Sequence, residues 1–213
     1  MEKRIFRAKE DPVSRRETTV DPVFLMLLLA LLALGLLMLW SASYAQSEFD
    51  SGYTESTRYL KKQAIRAQLE HRAFWLYLLC DEAKKRGLDP MDFGSAAVRR
   101  CGLSQGAGLV KKGKTDSLKG LRKTLFTKAA QLVFEMDIVE STDDKLSIDF
   151  HYCPLVKAWQ NAGCSDEEIA MLCDIAMCGD HGIGECYGSV LDLPKCIAKG
   201  DDICALRYHK KGE

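Results

Sequence analysis

Apolar residues change their spacing along this chain, and each change predicts a different element. From Pro22 to Trp40 the run PVFLMLLLALLALGLLMLW holds no charged residue. With Val20 and Ala42 at its edges it approaches the roughly 20 residues that a bilayer asks of a helix. Trp40 and Tyr44 suit an interfacial belt. The pattern predicts one transmembrane helix over 22–42, behind a charged tail (1–21) and ahead of a polar linker (43–66). A cleavable signal is the rival reading, because Ser43-Tyr44-Ala45 follows the apolar run as small-x-small. Against it stand a long charged leader and a core longer than the usual ~7–15 residues.

Past the linker, Leu69, Ala73, Leu76, Cys80 and Ala83 recur at steps of three and four, an apolar stripe that ends at Gly87. Asp89-Pro90 reads as an N-cap and first helical position, opening a helix to about Arg100. Gly102 to Gly113 reads as a glycine-rich loop. Its Gly113-Lys114-Thr115 lacks the upstream glycine of a phosphate cradle, which leaves a flexible basic loop. A helix near Leu118 to Ala130 precedes a shift to period two: Leu132, Phe134, Met136 and Ile138, then Leu146, Ile148, Phe150 and Tyr152. These strands make a hairpin about Thr142-Asp143-Asp144. Pro154 starts a short helix to about Gly163, and Ser165 with Glu168 forms a capping box for the next, buried through Ile169, Leu172, Cys173 and Ala176. After the glycine-punctuated stretch 179–188, strands are expected at 190–198 and 203–208. The sum is an α+β domain over 67–213, a four-stranded mainly antiparallel sheet with packed helices.

Charge narrows the partners. Thirty basic residues balance thirty acidic ones, so no net field steers the chain to nucleic acid. The expected partners are a small-molecule substrate and the lipid bilayer, with no cofactor implied and protein partners unspecified. Nine unevenly spaced cysteines read as reduced thiols of a reducing compartment rather than a disulfide framework. For a single-pass membrane protein they favour a cytoplasmic domain. Basic residues before the helix (Lys3, Arg4, Arg7, Lys9, Arg15, Arg16) slightly outnumber Arg58, Lys61, Lys62 and Arg66 after it, which favours the opposite side.

His151 and Cys153 stand two apart, which on a strand puts imidazole and thiol on one face. A histidine there can take the thiol proton and leave a nucleophilic thiolate. The plainer reading is a buried thiol beside a hydrogen-bonded histidine. Zinc is a competitor, since His151, Cys153, Asp201 and Cys204 are suitable ligand types. Without a close-set cysteine pair, metal-free chemistry is preferred.

Two resemblances extend these readings. RRETTVDPVFLMLLLALLALGLLMLWSASYAQ and Tyr59-Leu60-Lys61-Lys62-Gln63 resemble the opening of the FtsW/RodA family of cell-division polymerases, whose catalytic machinery is absent here. HYCPLVKAW, CDIAMCGD and KCIAKGDDIC resemble the L-2-amino-thiazoline-4-carboxylic acid hydrolase family over about Glu70 to Tyr208. That resemblance implies hydrolytic opening of a cyclic amidine C–N bond toward a carbamoylated cysteine. On it, Cys153 is the nucleophile, His151 the acid/base, and Asp180 or Asp201 the holder of the amidinium. Lys199 or Arg207 pairs with the substrate carboxylate, and Cys173 and Cys204 join the binding site. Cys178, Cys186 and Cys196 depart from the family pattern. The closing strand and its cysteine are also similar to the vinyl-4-reductase-type ligand-binding domain, which implies the alternative of a tethered, non-catalytic sensor.

Overall fold

The computed structural model describes residues 21–51 and 58–212. The chain divides into two compact units, Met1–Ser56 and Thr57–Glu213. In the first, helix α1 (Pro22–Ser51) starts where the Val23 N–H donates to Asp21 Oδ1 at 2.8 Å. Its apolar side chains from Val23 to Met38 are exposed. Among the described residues no helix is long and apolar enough to cross a membrane. The expected span over 22–42 is therefore not supported. It also leaned on residues 39, 40 and 42, whose side chains lie outside those described. The expected linker is helical as far as Ser51, and helix resumes at Arg58; 52–57 lie outside the described residues.

The second unit opens with α2 (Arg58–Lys85), followed by α3 (Pro90–Gly113), α4 (Leu118–Thr124) and α5 (Lys128–Phe134). Then come β1 (Met136–Ser141), β2 (Lys145–Phe150), α6 (Pro154–Asn161), α7 (Asp166–Cys186), β3 (Ser189–Asp192) and β4 (Cys204–Lys210). A 3-10 turn (Ile197–Lys199) lies between the last two strands. The sheet order is β1-β2-β4-β3 with every pairing antiparallel, the four-stranded α+β arrangement expected. Asp89 accepts the Met91 N–H as the cap of α3, and Ser165 with Glu168 closes the capping box of α7.

Three local expectations change. The glycine-rich loop at 102–113 is the second half of α3, and the glycines of 179–184 lie inside α7. Each set serves the other. A Cβ at Gly102 would collide with the Gly179 carbonyl, one at Gly182 would lie 2.5 Å from the Arg99 carbonyl oxygen, and one at Gly106 2.9 Å from Cys186 Sγ. Close backbone approach, rather than loop flexibility, accounts for them. Leu132 and Phe134 belong to α5, not to the first strand; Glu135, at φ 53, breaks the helix in the left-handed region before β1 begins. Only 189–192 of the expected third strand pairs, and Cys196 enters the 3-10 turn.

Candidate functional site

Helix α7 and strand β4 build the interior of the domain. Cys173, Asp180 and Gly184 are seven and four residues apart, which on an α-helix aligns them along one face. On β4, Cys204, Leu206 and Tyr208 alternate onto one face and are all buried. Gly184 lets the two meet, because a Cβ there would lie 3.2 Å from both the Tyr208 ring and Ser189 Oγ. Asp180 is half-buried between them. Loss of solvent raises its carboxyl to about 6, against the opposing field of Arg72. Among the described residues the Tyr208 hydroxyl has no hydrogen-bond partner, and Tyr208 is 1% exposed. Burial, then the Asp180 charge, pushes that phenol up.

Cys153 reaches the same interior from α6. It occupies the N-cap position without a side-chain capping bond. Burial raises its thiol, and the N–H groups of Val156 and Leu155 only partly oppose this; Cys196 and Asp180 are the charges whose fields reach it. Behind it three more sulfurs gather. Cys173 Sγ and Cys196 Sγ are 3.7 Å apart, and the Ile197 N–H donates to Cys204 Sγ at 3.2 Å. Cys196 sits at the head of the 3-10 turn. The nearness of the Cys173 and Cys204 thiols lowers it, while those two neighbours are raised.

The remaining residues expected from the sequence lie apart from this interior. Strand β2 ends at Phe150, and Pro154 opens α6 three residues after His151. The strand alternation expected to pair His151 with Cys153 stops short of both residues. The His151 ring instead shares a 3.0 Å hydrogen bond with Asp137 of β1. Arg207 bonds Asp149 Oδ1 at 2.6 Å and the Ile148 and Leu206 carbonyls. Lys199 pairs with Asp174 at 2.8 Å. Asp201 accepts the Cys196 N–H at 2.7 Å and so fixes the loop rather than facing Asp180. Cys173 and Cys204 are buried, and Cys153 and Asp180 are half-buried.

Two residues of this interior carry little weight in the sequence alone. Cys196 stands out there only as a departure from the family pattern. Tyr208 is visible as one more apolar step of a strand, and its period-two register with Cys204 is the signal that places it inside. Lys62 and Arg66 brace the approach to the site. Both bond Glu135, and Arg66 bonds the Val133 carbonyl and lies 3.8 Å over the Tyr152 ring. They hold the turn that delivers Cys153. Among the described residues no group of three or more His, Cys, Asp or Glu side chains is arranged to hold a metal ion, so the zinc alternative gains no support.

No curated protein matches the chain. Among solved structures, a crystal structure of trafficking protein particle complex subunit 3 from Naegleria fowleri covalently bound to palmitic acid aligns over 83% of this chain and 93% of that one. The identity is 19% and the TM-score 0.32, too low for the likeness to carry an argument. The resemblance of the first 65 residues to the FtsW/RodA family finds no support. The interior built by α6, α7 and β4 falls inside the region, residues 66–208, that matches the L-2-amino-thiazoline-4-carboxylic acid hydrolase family, and the chain belongs to that family.

Proposed function

We propose that the domain is a hydrolase that opens the C–N bond of a cyclic amidine such as L-2-amino-thiazoline-4-carboxylate. The observation that carries this reading is that Cys153, at the head of α6, and the Asp180 carboxyl of α7, raised by burial, both lie inside the region that matches the family. An amidinium offers two parallel N–H donors, and a carboxylate accepts both. Asp180 is suited to that role because Asp201 is already committed to the Cys196 N–H. In the proposed step the Cys153 thiol gives its proton to the Asp180 carboxylate as its sulfur bonds to the amidine carbon. The ring C–N bond breaks with its electron pair going to nitrogen, and a proton held near Asp180 follows it. Water then adds to the same carbon and the thiol departs. The acid role thus moves from His151 to a carboxyl whose pKa of about 6 lies near working pH. Arg72, whose field reaches Asp180, is a better placed cation for the substrate carboxylate than Lys199 or Arg207.

Incubating the full chain with L-2-amino-thiazoline-4-carboxylate tests this, with ring opening read by mass spectrometry as the gain of one water. Cys153→Ala should abolish turnover; full activity in that variant would overturn the nucleophilic role. Substrate held without ring opening by the unaltered chain would make the same interior a ligand-binding module instead.

We also infer a membrane tether, because 22–40 carries no charge and the described apolar side chains of α1 are exposed. Alkaline carbonate extraction of membranes bearing the full chain tests it: release into the supernatant would discard the tether.

A further inference from the structure

Three thiols meet at Cys196, and neither the family match nor the proposed ring opening uses this residue. We propose that Cys196 and Cys173 form a reactive pair that reduces a hydroperoxide and closes a disulfide. The geometry is of two kinds. Cys173 Sγ stands 3.7 Å from Cys196 Sγ, near enough for a small shift to reach the about 2.05 Å of a disulfide. Cys196 also borders an exposed loop, residues 199–202, which Asp201 ties to its backbone N–H. Cys204 is the less suited partner, because its sulfur accepts the Ile197 N–H and its backbone is paired to Phe150 in the sheet. Cys173 has no such second tie among the described hydrogen bonds.

Access runs through the loop. Cys196 itself is 3% exposed, while Lys199, Gly200, Asp201 and Asp202 beside it are exposed. The Asp201 carboxylate holds the loop closed on the Cys196 N–H. Opening that loop admits a small oxidant.

The chemistry balances in two steps. The Cys196 thiolate attacks the terminal oxygen of the hydroperoxide, the O–O bond breaks, and the alkoxide or hydroxide takes a proton. Sulfur is oxidised to the sulfenic acid while the peroxide is reduced. Cys173 sulfur then attacks the Cys196 sulfur, the S–O bond breaks, and hydroxide leaves as water with the Cys173 proton. Two thiols and one hydroperoxide give one disulfide, one alcohol (water, from hydrogen peroxide) and one water. A low-molecular-weight dithiol restores the pair.

The reaction is independent of the ring-opening proposal, and its readout is a mass rather than a rate of hydrolysis. The full chain is treated with hydrogen peroxide, its free thiols are blocked, and peptides are mapped. The expected product is a peptide pair joined through Cys173 and Cys196, lost on dithiothreitol treatment. It should form at least as fast as oxidation of the exposed Cys101, because the two sulfurs already stand 3.7 Å apart. Cys173→Ser should leave a sulfenic acid at Cys196 that dimedone captures. Asp201→Ala should speed the linkage by opening the loop. Oxidation confined to Cys101, a Cys173–Cys204 linkage in the unaltered chain, or no dimedone adduct at Cys196 in a folded Cys173→Ser variant would each overturn the proposal.

Discussion

The two faces of the sheet carry similar ionisable residues and put them to opposite uses. On the outer face His151 meets Asp137, Arg207 meets Asp149 and His209 meets Asp192. These groups have partners and keep contact with water. On the inner face Asp180 is half-buried with a raised carboxyl, Tyr208 has an orphan hydroxyl, and four cysteines crowd together. Groups paired in water are electrostatically at rest, whereas groups whose ionisation burial opposes hold free energy that a ligand can release. Residue type alone therefore says little about a site. The face a residue occupies decides.

The largest contrast between the faces is expected from Asp180→Asn. Loss of a proton donor at the reacting centre should lower ring-opening kcat by about 10²–10⁴-fold, measured under saturating substrate. Stability should move the other way. The native carboxyl titrates near 6 and an unfolded aspartate near ~3.9, so between those values the native state holds the extra proton. The contribution is fully present below pH ~4 and is lost as pH rises through about 6, a fall of about 2–3 kcal/mol. Urea unfolding from pH 4 to 7 should show this slope, and Asp180→Asn should flatten it. An unaltered slope would place the carboxyl in water and remove it from the inner face.

Gly184→Ala comes next. Its Cβ would stand 3.2 Å from the Tyr208 ring and from Ser189 Oγ, a contact tight enough to push α7 off β4 at a cost of about 1–3 kcal/mol. A thermal melt should show the loss. No change would mean that the interior has slack.

A smaller effect is expected from Tyr208→Phe, which removes only the hydroxyl. Since that group has no partner, its loss should leave stability unchanged or raise it by up to about 1 kcal/mol. The rise would be read by denaturant unfolding. A rise with reduced turnover would show that the hydroxyl meets substrate; a marked fall in stability would show that it has a partner such as buried water.

How far the sequence displays these faces can be judged residue by residue. Leu146, Ile148 and Phe150 follow period two because one side of β2 packs inward, so the hairpin and its partner strand are readable. Asp89 and Ser165 announce helix starts through local hydrogen bonding, which needs no knowledge of the rest of the chain. The glycines at 102, 106, 179 and 182 mislead because the reason for each lies on another helix, about 80 residues away along the chain. The same non-locality governs the chemistry. His151 and Cys153 are neighbours in sequence, but the chain turns between β2 and α6 and sends one to Asp137 and the other to Cys196 and Asp180. The approach of α7 to β4 at Gly184 and Tyr208 joins segments far apart in the chain, and no spacing reveals that contact.

The smallest predicted effect is the most direct check on this contrast. The His151 side chain is 46% exposed and its Asp137 partner 77%, and pairs in so much water contribute between zero and about 1 kcal/mol. His151→Ala and Asp137→Asn should each shift unfolding by less than about 0.5 kcal/mol and leave ring-opening kcat within about twofold. A double-mutant cycle should give a coupling no larger than that of other exposed pairs. Should His151→Ala cut turnover by tenfold or more while its melting curve stays put, the imidazole takes part in the chemistry after all. The substrate would then have to bridge the end of β2, and the division into a resting outer face and a charged inner one would fail at the residue where the chain turns from one to the other.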